Sequence, residues 1–366
     1  MTALPTRKLE AWRYTDLKGL AGIGFAEPLA LPVTVELPEL GIPRVVFVNG
    51  VLDASRSTLA EYGAGFAAVA EASAMPLAMI NAEHARDGLT LSVPAGVDAG
   101  AVLVVSYVQA QAPVAVHPRH RMTLGAGARL TIIDISIGHG VYWHNPVTDI
   151  ALHEGAVLSH YRLQDESQEA YHTATIRAKI AAGAAYEGFT AVLGAKLSRA
   201  EFHVNLLGPK ASTHINAAQL LGGHQHGDFT TIVAHDAPDC ASRQTVKSVL
   251  SDHARGVFQG RIEVARVAQK TDGYQMNQAL LLSDTAEMDI KPELEIFADD
   301  VKCSHGATIG ALDEEQVFYL RSRGIPEAQA RAMLIRAFLD EALEPVTHEA
   351  ARAVLERAIE TWWARK

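Results

Sequence analysis

The sequence predicts a mainly β protein: a right-handed parallel β-helix of 28-residue coils, with an N-terminal α/β flank and a C-terminal helical flank. Two observations carry this. First, segments beginning at Ala126, Glu154, Ala182, Lys210 and Pro238 stack without gaps. They open "AGARLTIIDI", "EGAVLSHYRL", "AGAAYEGFTA", "KASTHINAAQ" and "PDCASRQTVK", and the pairs Gly127-Ala128, Gly155-Ala156 and Gly183-Ala184 head the first three. Second, each segment carries another strand-like run at the same offset, from His144, His172, Ala200, Asp228 and Gly256. A fixed period of this size signals stacked supersecondary units. The runs are short, rich in Val, Ile, Thr and aromatics, and bounded by Gly, Asp, His and Pro, so they read as strands. Two strands per unit with no helix between them form coils that bury their inward residues on neighbouring coils. A β-sandwich or barrel with recurring strand spacing is the alternative, and the gapless stacking weighs against it. Looser copies at "AGAVLVVSYV" (from Ala99) and "QMNQALLLSD" (from Gln275) extend the core to residues 95–309.

The flanks follow in order. Residues 1–94 combine a short helix near "LEAWRYTDL" with a hairpin-like "RVVFVNGVLD" turning at Asn49-Gly50. The Ala-rich "GAGFAAVAEASAMPLAMINAEHA" then reads as a helix interrupted by Pro76. Residues 310–366 are helical. Asp313 and Gln316 have capping-box spacing at the start of "EEQVFYLRSRG", and Gly324 stops that helix. Pro326 suits the first turn of "PEAQARAMLIRAFLDEAL", and Thr347 can cap "HEAARAVLERAIETWWARK". Helical tails of this kind are expected to cap the solenoid end, which otherwise exposes sheet edges.

At 366 residues the chain can bury a large core, and 48% hydrophobic with 20% charged residues is the composition of a soluble globular protein. No apolar run reaches 18 residues, so no membrane helix is expected, and the N-terminus lacks the apolar stretch of a secretory signal. Two cysteines argue against a disulfide framework and fit a reducing cytoplasm. A net charge of −10, with no basic patch, argues against nucleic acid.

"FADDVKCSHGATIG" (Phe297 to Gly310) sets Cys303 two residues from His305. On a strand both project from the same face and can address one point. Three readings stand: a nucleophile with its base, two ligands of a metal, or a structural cysteine beside an incidental histidine. A complete metal site would need ligands from elsewhere. Of sixteen histidines, His214, His224, His226 and His235 fall in one stretch, but "GGHQHGD" reads as a turn between strands. Asp134, Asp165, Asp228, Asp252 and Asp272 share no column of the stacking, against a carbohydrate-cleaving solenoid. No phosphate-binding loop, dinucleotide fingerprint or nucleophile elbow is present. Cys240, at the head of a repeat, reads as a packed small residue.

Two stretches together resemble one family. "GGHQHGDFTTIVAHDAPDCASRQTVKSVLSDHARGVFQGRIEVARVAQKTDGYQMNQALLLSD" and "KPELEIFADDVKCSHGATIGALDEEQVFYLRSRGI" are similar to the signature region of the SufB/SufD iron–sulfur cluster assembly proteins. The likeness is strongest from about 200 to 340 and reaches "EAWRYTDL" near the N-terminus. "DDVKCSHGAT" resembles the SufD branch. Where the SufB branch has a cysteine implicated in assembly, this chain reads "QMNQ", with Met276 and Asn277. The resemblance implies a non-catalytic scaffold that pairs through its β-helix with a SufB-like paralogue and binds a SufC-like ABC ATPase through its C-terminal helical region. It implies a transient iron–sulfur cluster shared with that partner and none held permanently by this chain. His305 and Cys303 match residues at the subunit interface, where they become shared ligands. Tyr319, Arg321 and Arg323 are the matching handles for the ATPase, with helix packing and dipole compensation as the alternative reading. A self-dimer of the isolated chain, a SufB-like homodimeric scaffold and a β-helix enzyme acting on carbohydrate stay open. Nothing in the chain identifies a flavin site.

Overall fold

Gly127, Gly155 and Gly183 take left-handed φ of 67°, 67° and 63°, a conformation that suits glycine because it has no Cβ to clash. Lys210, Asp239 and Lys270 hold the same conformation at the same corner of later coils, with φ of 61°, 59° and 59°. The next residue is small and turns inward: Ala128, Ala156, Ala184, Ala211 and Cys240 are all buried. Each turn also bonds to the next coil, as Gly127 N–H donates to Glu154 O at 2.8 Å and Gly155 N–H to Ala182 O at 2.9 Å. Corners thus stack as strands do, and the chain winds into a parallel β-solenoid. The computed structural model describes residues 3–28, 33, 35–59 and 75–364.

Two sheets form the walls. One runs, in spatial order, β2 (Val51–Leu52), β1 (Arg44–Val48), β4 (Asp98–Gln109), β7 (Arg129–His139), β10 (Val157–Asp165), β12 (Ala185–Val192), β14 (Ser212–Leu221), β16 (Ala241–Leu250), β18 (Thr271–Leu281) and β20 (Val301–Gly310). The other runs β19 (Glu287–Ile296), β17 (Arg255–Val264), β15 (His226–His235), β13 (Leu197–Leu206), β11 (Tyr171–Ile180), β9 (Val147–Leu152), β6 (Arg119–Leu124) and β3 (Thr90–Val93). The short β5 (Val114–Val116) pairs β8 (Tyr142–His144), which also pairs β11. All pairings are parallel except the β1–β2 hairpin, where Phe47 faces Leu52.

The gapless 28-residue stacking holds only for the early coils. Val157 pairs with Arg129 and Ala185, 28 residues before and after it. Ala185 then pairs with Ser212, 27 residues on, Ser212 with Ala241 at 29, Ala241 with Asp272 at 31, and Asp272 with Lys302 at 30. The ladder fixes register strand by strand, while the turns absorb added residues at little entropic cost. In the observed registers Asp134 faces Arg162, Asp228 faces Arg199 and Val257, and Asp272 faces Ala241 and Lys302, so no carboxylate column forms.

Sheet pairing begins at β1, well before residue 95, because "RVVFV" is apolar on both faces: Val45 and Phe47 join the interior while Val46 joins the outer layer. The hairpin turn is Asn49-Gly50, at φ 50° and 78°. Pro76 occupies the first position of α2 (Pro76–His84), after the short α1 (Lys18–Ala21); the stretch expected to be helical before it, residues 63–74, lies outside the described residues. The "EAWRYTDL" segment lies across the second sheet. Glu10 meets Lys291 at 2.8 Å, Arg199 sits 4.1 Å from the Trp12 ring centroid, and Thr15 Oγ1 is 2.9 Å from His226 Nε2.

The C-terminal helices are α3 (Glu314–Ser322), α4 (Glu327–Leu343) and α5 (Glu349–Ala364). Asp313 caps α3 by accepting from Glu315 N–H at 2.9 Å, and Gly324 follows it at φ 86°. Pro326 is the residue before α4 begins. The capping side chain of α5 is His348, not Thr347: His348 Nδ1 accepts from Ala351 N–H at 3.4 Å, while Thr347 Oγ1 lies 3.5 Å from Tyr161 Oη. These helices do not cap the solenoid end. α4 packs over β14 and β16, and α5 over β10. There Ile335, Leu339, Leu355, Ile359 and Trp362 bury Ile133, Ile135, Tyr161, Leu163 and Phe189. Lys247 pairs with Glu341 and lies 4.6 Å from the Phe338 ring centroid.

Candidate functional site

With the helices on its flank, the solenoid ends at β19 and β20, each paired on one side only among the described residues. Apolar side chains are left in the open there: Ile296 is 38% exposed, Phe297 66% and Ile309 49%. An unpaired strand row with apolar side chains is a template for another chain.

Cys303 and His305 lie on β20, opposite Gly273 and Gln275 of β18. Strand alternation points both toward the interior side of this last coil. Cys303 is half-buried and packs against Ile262, Val264 and Ala298. Gly273 gives it room, since a Cβ there would stand 3.3 Å from Cys303 Sγ. Burial pushes the thiol above its ordinary value, and the bond to the Gly273 backbone only partly opposes this. A thiol so held is a weak nucleophile and ligand until a cation or base approaches it. Cys303 also borders an open cleft of about 500 Å³ with Arg243, Asp272, Tyr274, Lys302 and Ser304. His305 is exposed.

Behind them the interior is polar. Gln275 and Asn277 are fully buried, yet no protein group bonds to either end of their amides. The carbonyl oxygen of Gln275 would be 2.9 Å from a Cβ on Gly260, so a side chain there would crowd the amide. Unbonded amides in a core cost free energy, and further buried polar atoms without a protein partner, Gln219 Oε1, Gln244 Nε2 and Ser248 Oγ, continue along the same sheet. Sequence reasoning singled out Asn277 only as the place of a missing thiol and passed over Gln275.

The other singled-out residues scatter. His214 pairs with Glu187 at 2.8 Å, and exposed His224 stacks on His253 at 4.9 Å between centroids. His226 bonds to Thr15, and His235 lies 2.9 Å from Ser242 Oγ, its pKa pushed down to about 4 by burial. They do not converge on one point. Cys240 is buried as a packed small residue, its Sγ donating to Gly208 O at 3.3 Å. On and just after α3, Tyr319 is 56% exposed with the Arg323 guanidinium 5.1 Å from its ring centroid, and Arg321 reaches Glu327 at 3.3 Å. Phe318 beside them is 71% exposed, and it went unnoticed in the sequence because a helical Phe is usually a core residue. Among the described residues the donors that do converge are His144, Glu166 and His172. The two histidines head second-strand runs in successive coils, but Glu166 comes from a corner that no periodicity marks.

Comparison with known proteins identifies the family to which the chain belongs. Residues 106–338 match the family model for the SUF system FeS cluster assembly SufBD core domain. The chain is 35% identical to iron–sulfur cluster assembly protein SufD of Escherichia coli over 95% of its own length and 86% of that protein. It is 31% identical to an iron–sulfur cluster assembly SufBD family protein of Synechocystis, covering 94% and 84%. A chloroplastic protein of Arabidopsis thaliana, ABCI7, is 35% identical over 72% of this chain and 58% of its own.

Proposed function

The chain belongs to the SufBD family of iron–sulfur cluster assembly proteins, and we propose that it serves there as a SufD-type, non-catalytic scaffold subunit in a cytoplasmic complex with a SufB-type paralogue and a SufC-type ABC ATPase. The observation that carries this reading is the unfinished last coil. Among the described residues its edge strands are each paired on one side only, its apolar side chains are exposed, and it carries one thiol and one imidazole. Two donors are half of a tetrahedral set, so a partner stacked on β20 would supply the rest. The cluster is cargo, formed transiently between the chains with His305 and Cys303 as this chain's donors. The raised thiol of Cys303 fits a group engaged only when iron or a partner cation arrives. Phe318, Tyr319, Arg321 and Arg323, at the exposed face and end of α3, are the ATPase-binding surface. Because α4 and α5 lie on the sheet that ends in β20, movement of the helical region on nucleotide binding would be felt at the coil edge.

The test is anaerobic co-purification of tagged wild type and His305→Ala from a strain depleted of this subunit. Both should recover the paralogue and the ATPase, while His305→Ala fails to restore activity of cluster-dependent enzymes. Full restoration by the variant would remove His305 from the site. Recovery of the wild-type chain free of both proteins would remove the scaffold reading.

A further inference from the structure

The corner between β10 and β11 holds a second group of donors, far from the open edge. Glu166 Oε1 is 2.9 Å from His144 Nδ1, and Glu166 Oε2 is 2.6 Å from His172 Nδ1. The donor atoms of the three residues lie within 4.8 Å of one another. The strand ladder sets the two histidines side by side, on β8 and β11, with ring centroids 5.1 Å apart and planes at 78°. Their side chains are 1% and 2% exposed, and that of Glu166 is 0%. Gln164 Nε2 donates to Glu166 Oε2 at 2.9 Å and fixes the carboxylate from outside the group.

We propose that His144, Glu166 and His172 form a binding site in this chain for one divalent first-row transition ion. Two imidazoles and a carboxylate converging on one point are the donor set of three-residue protein sites for iron(II) or zinc(II). Gln164 occupies the outer position that orients a ligating carboxylate in such sites. A purely structural role explains the group less well. His172 Nδ1 is close to the carboxylate but not aligned as a hydrogen bond. The surface beside this corner is concave. Gln168, Glu169 and Tyr171, just after Glu166, line a cleft of about 660 Å³ with Lys196, His224 and Gln225. The site is separate from the open edge: five strand steps from β10 to β20 make about 24 Å.

The experiment uses the full-length chain, stripped with chelator and titrated anaerobically with Co²⁺, reading the visible d–d bands and the metal content. Wild type should take up one equivalent through nitrogen and oxygen ligands, with a rise in Tm. His144→Ala and His172→Ala should weaken uptake by at least about a hundredfold, since even outer-shell losses cost ten- to a hundredfold. Cys303→Ser and His305→Ala should bind as wild type does. No uptake by folded wild type, or one equivalent retained by the His144→Ala/His172→Ala double variant, overturns the proposal. If those variants do not fold, X-ray absorption on cobalt-loaded wild type decides: two imidazoles without sulfur supports it, and sulfur or an all-oxygen shell overturns it.

Discussion

Phe297→Ala tests whether the open coil is a docking edge. Phe297 directly follows β19, and its backbone N–H bonds to Val264 O at 2.9 Å, so the main chain is held while the ring is free. The ring is 66% exposed. A phenylalanine side chain presents roughly 200 Å², so about 130 Å² of it is available to a partner. At about 25 cal/mol per Å², covering that area contributes about 3 kcal/mol. Removing the ring should therefore weaken binding of the SufB-type partner by roughly two orders of magnitude in Kd. Isothermal titration with the purified partner reads this directly. Thermal unfolding of the isolated chain should scarcely change, because the ring is already in solvent. Phe318→Ala on α3 is the control, expected to weaken ATPase binding and spare this contact. A Kd for Phe297→Ala within twofold of wild type would refute the edge assignment.

Other perturbations probe the fold and its polar interior. Burial works against ionised Glu201, but Arg199 and His203 outweigh it and hold its pKa down at about 2, from an ordinary 4.5. Its stabilisation is thus complete above pH 4.5 and lost as pH falls toward 2, a span of about 3 kcal/mol. Urea unfolding across that range should find Glu201→Gln about 3 kcal/mol less stable than wild type at pH 6, with the gap closing toward pH 2; a constant gap would contradict the linkage. Lys210→Gly relieves a left-handed residue that costs about 1–2 kcal/mol, less about 0.4–1 kcal/mol of unfolded-state entropy, so Tm should rise by about 1–2 °C and a fall would exclude strain there. Gln275→Met replaces an unbonded buried amide and should stabilise the chain by about 1–3 kcal/mol in denaturant titration while lowering cluster assembly. An unchanged midpoint would mean the amide is satisfied in solution.

The coil architecture was legible because a solenoid writes each turn into the sequence. Gly127, Gly155 and Gly183 repeat since the corner needs a left-handed residue, and Ala follows since the interior is narrow there. Coil length was not legible past Ala184, because Lys210, Asp239 and Lys270 tolerate the same φ without being glycine. The position of the C-terminal helices was misread for a different reason. Amphipathic helices announce an apolar face but not the surface that receives it. The receiving surface was nevertheless encoded: "LTIIDISI" is apolar on both sides, with Ile132 inward and Ile133 and Ile135 outward, which a solvent-facing strand would not be. Cys303 and His305 were found as a pair because they are neighbours on one strand. His144, Glu166 and His172 were not, because their meeting depends on a corner brought round by the coil.

α4 and α5 also divide the molecule mechanically. A bare solenoid unzips coil by coil, since each turn touches only its neighbours. Here the helices act as a splint across β10 to β16 and lock those coils into one cooperative block. β17 to β20 extend past the α4 and α5 contacts, held by the ladder and, on the second sheet, by the N-terminal segment through Glu10–Lys291 and Gln259–Ala11. Backbone amides there should exchange with solvent through local fraying well before the splinted block opens. The edge proposed to meet a partner would thus be the most compliant part of the solenoid. Docking would clamp it, and departure of the partner would let it breathe.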